Sequence, residues 1–300
     1  MTNAIEAVGL GKRYGRRWAL EDCSVTIPAG RVVGLVGANG AGKTTLMHLV
    51  VGLLRPSAGN VTVLGQAPAS GPDQLARVGF LAQDAPLYGT LSVGDHLRLG
   101  RSLNPGWSDE AASERMGRLG FDLTQRAGQL SGGQRAQLAL TVAVSKRPEL
   151  LLLDEPVAGL DPLARREFLQ GLMETVAEHE LSVVLSSHLI GDIERVCDYL
   201  IVLAASRVRL TGDVHDLLAT HHVLTGPRRD MDTLPSDIEV IDATHTDRQS
   251  TLIVRTSTPI IDPAWTVTGL SLEDLVLAYL GQAARAARAP HQRDHATGAS

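Results

Sequence analysis

Residues 37 to 44, Gly-Ala-Asn-Gly-Ala-Gly-Lys-Thr, set three glycines, a lysine and a hydroxyl in the spacing G-x-x-x-x-G-K-[ST]. Glycines at 37, 40 and 42 allow the backbone to wrap closely around an anion and turn its amide groups inward. Ahead lies the apolar run Val32-Val-Gly-Leu-Val36, which reads as a buried strand. Behind, Thr45 to Val51 reads as a helix whose N-terminus adds its positive dipole end. Lys43 is placed to reach the β- and γ-phosphates of a nucleotide, and the Thr44 hydroxyl to ligate Mg²⁺. Gly37, Asn39, Gly40, Gly42, Lys43, Thr44 and Thr45 are the expected contacts. A chance glycine-rich turn is the bland alternative, and both flanks argue against it. The pattern implies a nucleoside triphosphate site.

A second element lies about a hundred residues on, where Leu150-Leu-Leu-Leu ends in Asp154-Glu155. A buried strand with acids at its carboxyl end presents charge to a ligand in the crevice of a parallel sheet. Asp154 fits a Mg²⁺ ligand, as strand-end acids do in phosphate-loop enzymes, and Glu155 fits a group polarising the attacking water. Between the two elements, Leu130-Ser-Gly-Gly-Gln134 offers a hydroxyl and exposed amides just before a helical segment, another anion-binding helix start. Taken alone, Ser-Gly-Gly reads equally well as a helix cap.

Together these residues resemble the nucleotide-binding subunits of ABC transporters, most closely the bacterial type-2 exporter group. Leu130 to Gln134 corresponds to that family's signature motif, with Ser131, Gly132, Gly133 and Gln134 as its nucleotide contacts. The resemblance implies that Tyr14 stacks on adenine and that Gln83 contacts Mg²⁺ or water and senses the membrane partner. It further implies that Asp161, in Ala158-Gly-Leu-Asp161, lies in a loop crossing a dimer interface, and that His188 touches the γ-phosphate. Tyr14 alone would read as a packed aromatic, and His188 alone as a structural histidine. The fold implied is α/β, a P-loop NTPase of ABC-ATPase type with a mixed sheet core, an antiparallel β subdomain and a helical subdomain. Two ATP molecules would sit between two copies arranged head to tail, with a homodimer compatible and not required. Lys43, Gln83, Glu155 and His188 are then the catalytic set, Thr44, Gln83 and Asp154 the metal set, and ATP and Mg²⁺ the cofactors.

Composition bounds the setting. At 300 residues and 44% hydrophobic content the chain holds one such ATPase unit plus a small addition; with only 3% aromatics, Leu, Val and Ala must build the core. Cys23 and Cys197 stand far apart and suggest neither disulfide nor zinc, which fits a reducing cytoplasm. The N-terminus lacks a secretory pattern, and no apolar run approaches the roughly 18 residues of a membrane span. A net charge of −5 argues against broad nucleic-acid binding. The expected location is cytoplasmic, peripheral on the inner face of the cell membrane through separate permease subunits.

The expected organisation is an ATPase domain over 1–218, with a helical subdomain about 84–130, a small α+β extension over 222–282, and a disordered tail over 283–300. Ser92 is expected to cap a helix from Val93, and Ser108 a second one. In the extension, Glu239 to Asp242 and Thr251 to Arg255 read as strands, and Ser271 to Leu280 as a capped amphipathic helix resembling the last helix of type-2 exporter ATPases. His221-His222 suggests a metal at first sight, but an adjacent pair has poor geometry and reads better as a solvated loop. The contrasting function is an ABC-family ATPase acting on ribosomes or DNA; such members carry duplicated units, zinc modules or long coiled coils, which this sequence lacks.

Overall fold

The computed structural model describes residues 2–84, 86–178, 180–228 and 235–288. The chain opens with a hairpin of β1 (Asn3–Tyr14) and β2 (Arg17–Pro28), which turns at Gly15 with φ +58°. β3 (Val32–Val36) leads through the glycine loop into α1 (Lys43–Val50), and β4 (Ala58–Val63) returns to pair antiparallel with β1. Next come α2 (Pro72–Arg77), β5 (Val78–Leu81), α3 (Val93–Leu103), α4 (Asp109–Arg118) and α5 (Gly132–Ser145). β6 (Leu150–Asp154), α6 (Pro162–Glu178), β7 (Ser182–Ser187), α7 (Ile190–Val196) and β8 (Tyr199–Ala204) follow. β9 (Arg207–Asp213), α8 (Val214–Thr220), β10 (His221–Pro227), β11 (Glu239–His245), β12 (Gln249–Arg255), β13 (Thr266–Gly269) and α9 (Leu272–Arg288) complete it.

The central sheet has the order β5-β6-β7-β3-β8-β9, parallel except for the last pair. Both its faces are covered, so its middle strands read as unbroken apolar runs rather than alternations. β3 shows this directly: Val32 and Val36 join the core beneath α5, α6 and α9, while Val33 and Leu35 join the core beneath α1 and the β2-β1-β4 sheet. A parallel sheet aims its strand ends at one rim, and the glycine loop after β3, the acids after β6 and His188 after β7 all leave from it.

Helices α3 and α4 enclose a smaller cluster of Val93, Met116, Ala127, Leu130 and Leu138. Ser92 caps α3 in a reciprocal box with Asp95, and Ser108 caps α4. The four-stranded sheet β11-β12-β10-β13 is antiparallel throughout. One of its faces contributes Val223, Ile241 and Ile253 to the main core, where Leu272, Leu275, Val276 and Tyr279 of α9 also sit. Its other face builds a separate cluster from Leu224, Leu252, Val254 and Trp265.

Two expectations need correction. His221 is not in a solvated loop: it begins β10, is 0% exposed, and its Nε2 lies 3.0 Å from the Tyr279 hydroxyl. Strand alternation puts His221 inward, because the residue that follows α8 enters the sheet at once. The expected disordered tail begins too early, since α9 continues as helix to Arg288 on a run of Ala and Arg; residues 289–300 lie outside the described part.

Candidate active site

The glycines of the 37–44 loop are each required for a different reason. A Cβ on Gly37 would lie 2.3 Å from the Leu203 carbonyl oxygen, so the loop passes β8 too closely for any side chain. Gly42 caps α1 at φ +110°, and a Cβ there would lie 2.5 Å from the Ala19 carbonyl oxygen. Gly40, at φ +77°, faces open space with nothing within 4 Å. Lys43 is folded back into the loop: its Nζ donates to the Gly37 carbonyl at 2.7 Å and stands 3.2 Å from Glu155 Oε1. Both side chains are under 10% exposed, so the pair interacts in a weakly screening environment.

The two acids are held by β7. Ser186, 0% exposed, donates its hydroxyl to Asp154 Oδ1 at 2.7 Å and accepts the Glu155 amide N–H at 2.8 Å. Asp154 ends β6 in extended geometry, whereas Glu155 takes φ +49°, a left-handed conformation uncommon for a non-glycine residue. The Glu155 carboxylate, Oε1 on Lys43, places Oε2 2.7 Å from His188 Nδ1. A carboxylate only accepts, so Nδ1 carries the proton in that bond.

A cleft of about 630 Å³ gathers these groups. Its wall holds Asn39, Gly40, Gly42, Lys43, Thr44 and Thr45 from the loop and helix, with Gln83, Glu155 and His188 opposite and Tyr14 at the hairpin tip. Tyr14 is 53% exposed and its ring has the Lys12 ammonium 5.5 Å from its centroid. Gly37 and Asp154 stand behind the wall as support, Asp154 being 1% exposed. Thr44, Gln83 and Asp154 offer a hydroxyl, an amide oxygen and a carboxylate, an all-oxygen donor set that suits Mg²⁺ rather than a thiophilic metal.

Ser131, Gly132, Gly133, Gln134 and Asp161 do not line this cleft. Ser131 caps α5 in a reciprocal box, accepting from the Gln134 amide at 3.2 Å while the Gln134 side chain accepts from the Ser131 amide at 2.9 Å. Asp161 caps α6 through the Leu163 and Ala164 amides, both at 3.0 Å. The starts of α5 and α6 abut, for a Cβ on Gly133 would lie 2.8 Å from that of Ala164. Gly132 and Ala158 to Leu160 line an adjoining cleft of about 350 Å³, and Gln83 lines both.

Sequence reasoning missed Ser186, Arg17 and Ala19. Ser186 stands in a strand buried at every position, where a hydroxyl needs a partner; that was the available signal. Arg17 and Ala19 line the cleft from β2. Arg17 pairs with Tyr14 across the hairpin, a register that the sequence does not announce.

The family model described as ABC transporter matches residues 20–158. Nod factor export ATP-binding protein I of Rhizobium leguminosarum bv. viciae is 36% identical over 221 residues, 72% of this chain and 71% of its own. Thiamine import ATP-binding protein ThiQ of Shigella flexneri serotype 5b is 34% identical over 203 residues, 65% of this chain and 87% of its own. Among solved structures, an ATP binding subunit of an ABC transporter superposes with TM-score 0.64 at 29% identity, covering 71% of this chain and 91% of the other. CbiO1 from Clostridium perfringens, part of the ABC transporter complex cbiONQ, gives 0.64 at 26% identity, covering 73% and 92%. No helix among the described residues is long and apolar enough to cross a membrane. With the glycine loop, Lys43, Glu155 and His188 lining one cleft, and these relatives, the chain belongs to the ABC transporter ATP-binding family and is an ATPase subunit.

Proposed function

We propose that the chain hydrolyses ATP between two copies of itself and thereby drives export through separate membrane permease subunits. The observation that carries the catalytic part is the Glu155 carboxylate, bridged between Lys43 at 3.2 Å and His188 at 2.7 Å inside the nucleotide cleft. Glu155 orients the attacking water and accepts its proton, and Lys43 and His188 balance charge on the transferring phosphoryl group. Tyr14 takes the adenine. Thr44, Gln83 and Asp154 would hold Mg²⁺, which would supply charge neutralisation for phosphoryl transfer. The α5 start at Ser131 and the Asp161 segment stand apart from this cleft yet beside each other, which suits them to complete the site of a second copy. Gln83, shared by both clefts, is the group through which a permease would sense the nucleotide.

Export is supported by the Nod factor relative and by the resemblance of the Ser271–Leu280 helix to exporter endings. The thiamine importer is nearly as similar, so direction is to be measured in vesicles reconstituted with the copurified permease. The catalytic assignment is tested by Glu155→Gln. ATP binding should persist while turnover falls about 10² to 10⁴-fold, and the variant should sediment as an ATP-dependent dimer. Parental turnover in Glu155→Gln would overturn the role given to Glu155.

A further inference from the structure

Arg165 Nε and Asp192 Oδ2 are buried polar atoms with no hydrogen-bond partner among the described residues, and they face each other at 3.9 Å. That is beyond hydrogen-bond range, yet each would satisfy the other with a shift of about 1 Å. Burial is nearly complete on the acid side: Asp192 is 4% exposed. Burial also pushes its carboxyl above the ordinary range, opposed first by Arg165 and then by Arg195 and His188. Two unmet polar atoms of complementary charge, 3.9 Å apart, would meet each other's need in a second, closed position.

Their places in the chain say what that position would couple. Arg165 lies in the first turn of α6 and its Nη2 donates to the Leu160 carbonyl at 3.4 Å, so it is tied to the Ala158–Asp161 segment just before the helix. Asp192 lies in the first turn of α7, which begins directly after His188 and Leu189. Glu155 and His188 already join the two loops that precede these helices. Arg165 and Asp192 stand at the next point along, between the helices themselves.

We propose that Arg165 and Asp192 are a positioning pair, whose ion pair closes when the Asp161 segment seats against a second copy and so fixes His188 for catalysis. This rests on the two-copy reading above. Neither residue touches the nucleotide; each acts through the loop it anchors.

The test is a double-mutant cycle of Arg165→Gln and Asp192→Asn, with kcat, KM for ATP, nucleotide affinity and thermal melting measured for each variant. Each single variant should lose about tenfold in kcat with KM and nucleotide affinity unchanged, and the double variant should lose no more than the worse single. Asp192→Glu adds one methylene and reaches across the gap, so its kcat should match or exceed the parent's. Additive losses, losses that appear in KM, or wild-type kcat in Asp192→Asn would each overturn the pairing. Loss of kcat in Asp192→Glu in proportion to a lowered melting temperature would assign the pair to packing instead. A parental enzyme that hydrolyses ATP at full specific activity while sedimenting as a monomer would refute the two-copy reading and this proposal together. An enzyme active only as a dimer, with a fully active Asp192→Asn, refutes this proposal alone.

Discussion

Removing one hydroxyl, in Ser186→Ala, should damage both acids of the site without touching either. Ser186 is 0% exposed; its hydroxyl donates to Asp154 Oδ1 at 2.7 Å and accepts the Glu155 N–H at 2.8 Å. Alanine fills the same space less one oxygen, leaving a carboxylate oxygen and an amide N–H short of a partner where Asp154 is 1% and Glu155 7% exposed. A hydrogen bond to a charged group is worth about 1.5–3 kcal/mol, and stranding a buried amide costs about 1–3 kcal/mol. A combined loss of about 3 kcal/mol follows, because partial relaxation recovers some of each. At an unfolding entropy of about 2.1 cal/mol/K per residue, a chain of 300 residues then loses roughly 5 °C in melting temperature. Displacing the acids by a fraction of an ångström should also cut kcat about tenfold or more. Thermal unfolding without nucleotide, and steady-state phosphate release with saturating ATP, read the two effects separately. Ser186→Cys, which keeps a weak donor, should fall between parent and alanine variant in both. An unchanged melting temperature together with unchanged kcat in Ser186→Ala would show that the acids hold their places without β7, and the reasoning would fail.

Tyr14→Ala should raise KM for ATP at least about fivefold with little change in kcat, since stacking a base on an aromatic ring contributes about 1–3 kcal/mol; equal affinity for ATP would remove Tyr14 from the site. Gly133→Ala forces a methyl to within 2.8 Å of the Ala164 Cβ at the contact of two helix starts. Overpacking of this kind costs about 1–3 kcal/mol, so both the melting temperature and ATP-dependent association should drop. His221 is buried, its Nδ1 donating to the Leu217 carbonyl at 2.7 Å, and burial holds its pKa below the ordinary 6.5. The unfolded chain therefore takes up this proton first as pH falls through 6.5, and stability present above that value is lost on acidification until the folded-state pKa is reached. Melting curves of the parent and His221→Gln across that range should converge at low pH; parallel curves would exclude His221 as the source.

Contiguous motifs were legible in the sequence because their chemistry is local. The glycine loop could be read because Gly40 and Gly42, at φ +77° and +110°, answer to its own turn, although the Leu203 carbonyl that crowds Gly37 comes from distant β8. Ser186 was not legible as a site residue, because its partners Asp154 and Glu155 come from a strand that only the parallel register places beside it. Arg17 was missed for the same reason, its position in the cleft being set by the hairpin register with Tyr14. The extension shows the limit from the other side. β11 and β12 alternate well enough to be read, but β13 is exposed at all four positions and carries no burial pattern to detect. His221 was misread because adjacency to His222 looks like a polar loop, whereas in a strand the two residues face opposite sides, one buried and one half-buried.

The conformation of Glu155 ties these observations together. Successive residues of an extended strand point to opposite faces, so an extended Glu155 would turn its carboxylate away from Lys43 and His188. The left-handed turn at Glu155, φ +49°, breaks that alternation and brings its carboxylate to Lys43 and His188, while Asp154 stays behind the wall on Ser186. Such a backbone costs a non-glycine residue about 1–2 kcal/mol. The structure holds it there with the Ser186 hydroxyl on its N–H and with Lys43 and His188 on its side chain. A glycine at 155 would adopt the turn freely but bring no carboxylate, and an acid in extended geometry would bring one to the wrong face. The strain is therefore the means by which adjacent acids acquire different positions, Glu155 lining the cleft and Asp154, the proposed metal ligand, held on Ser186. The same reasoning explains why β7 carries a buried hydroxyl at 186, where an apolar residue would otherwise pack.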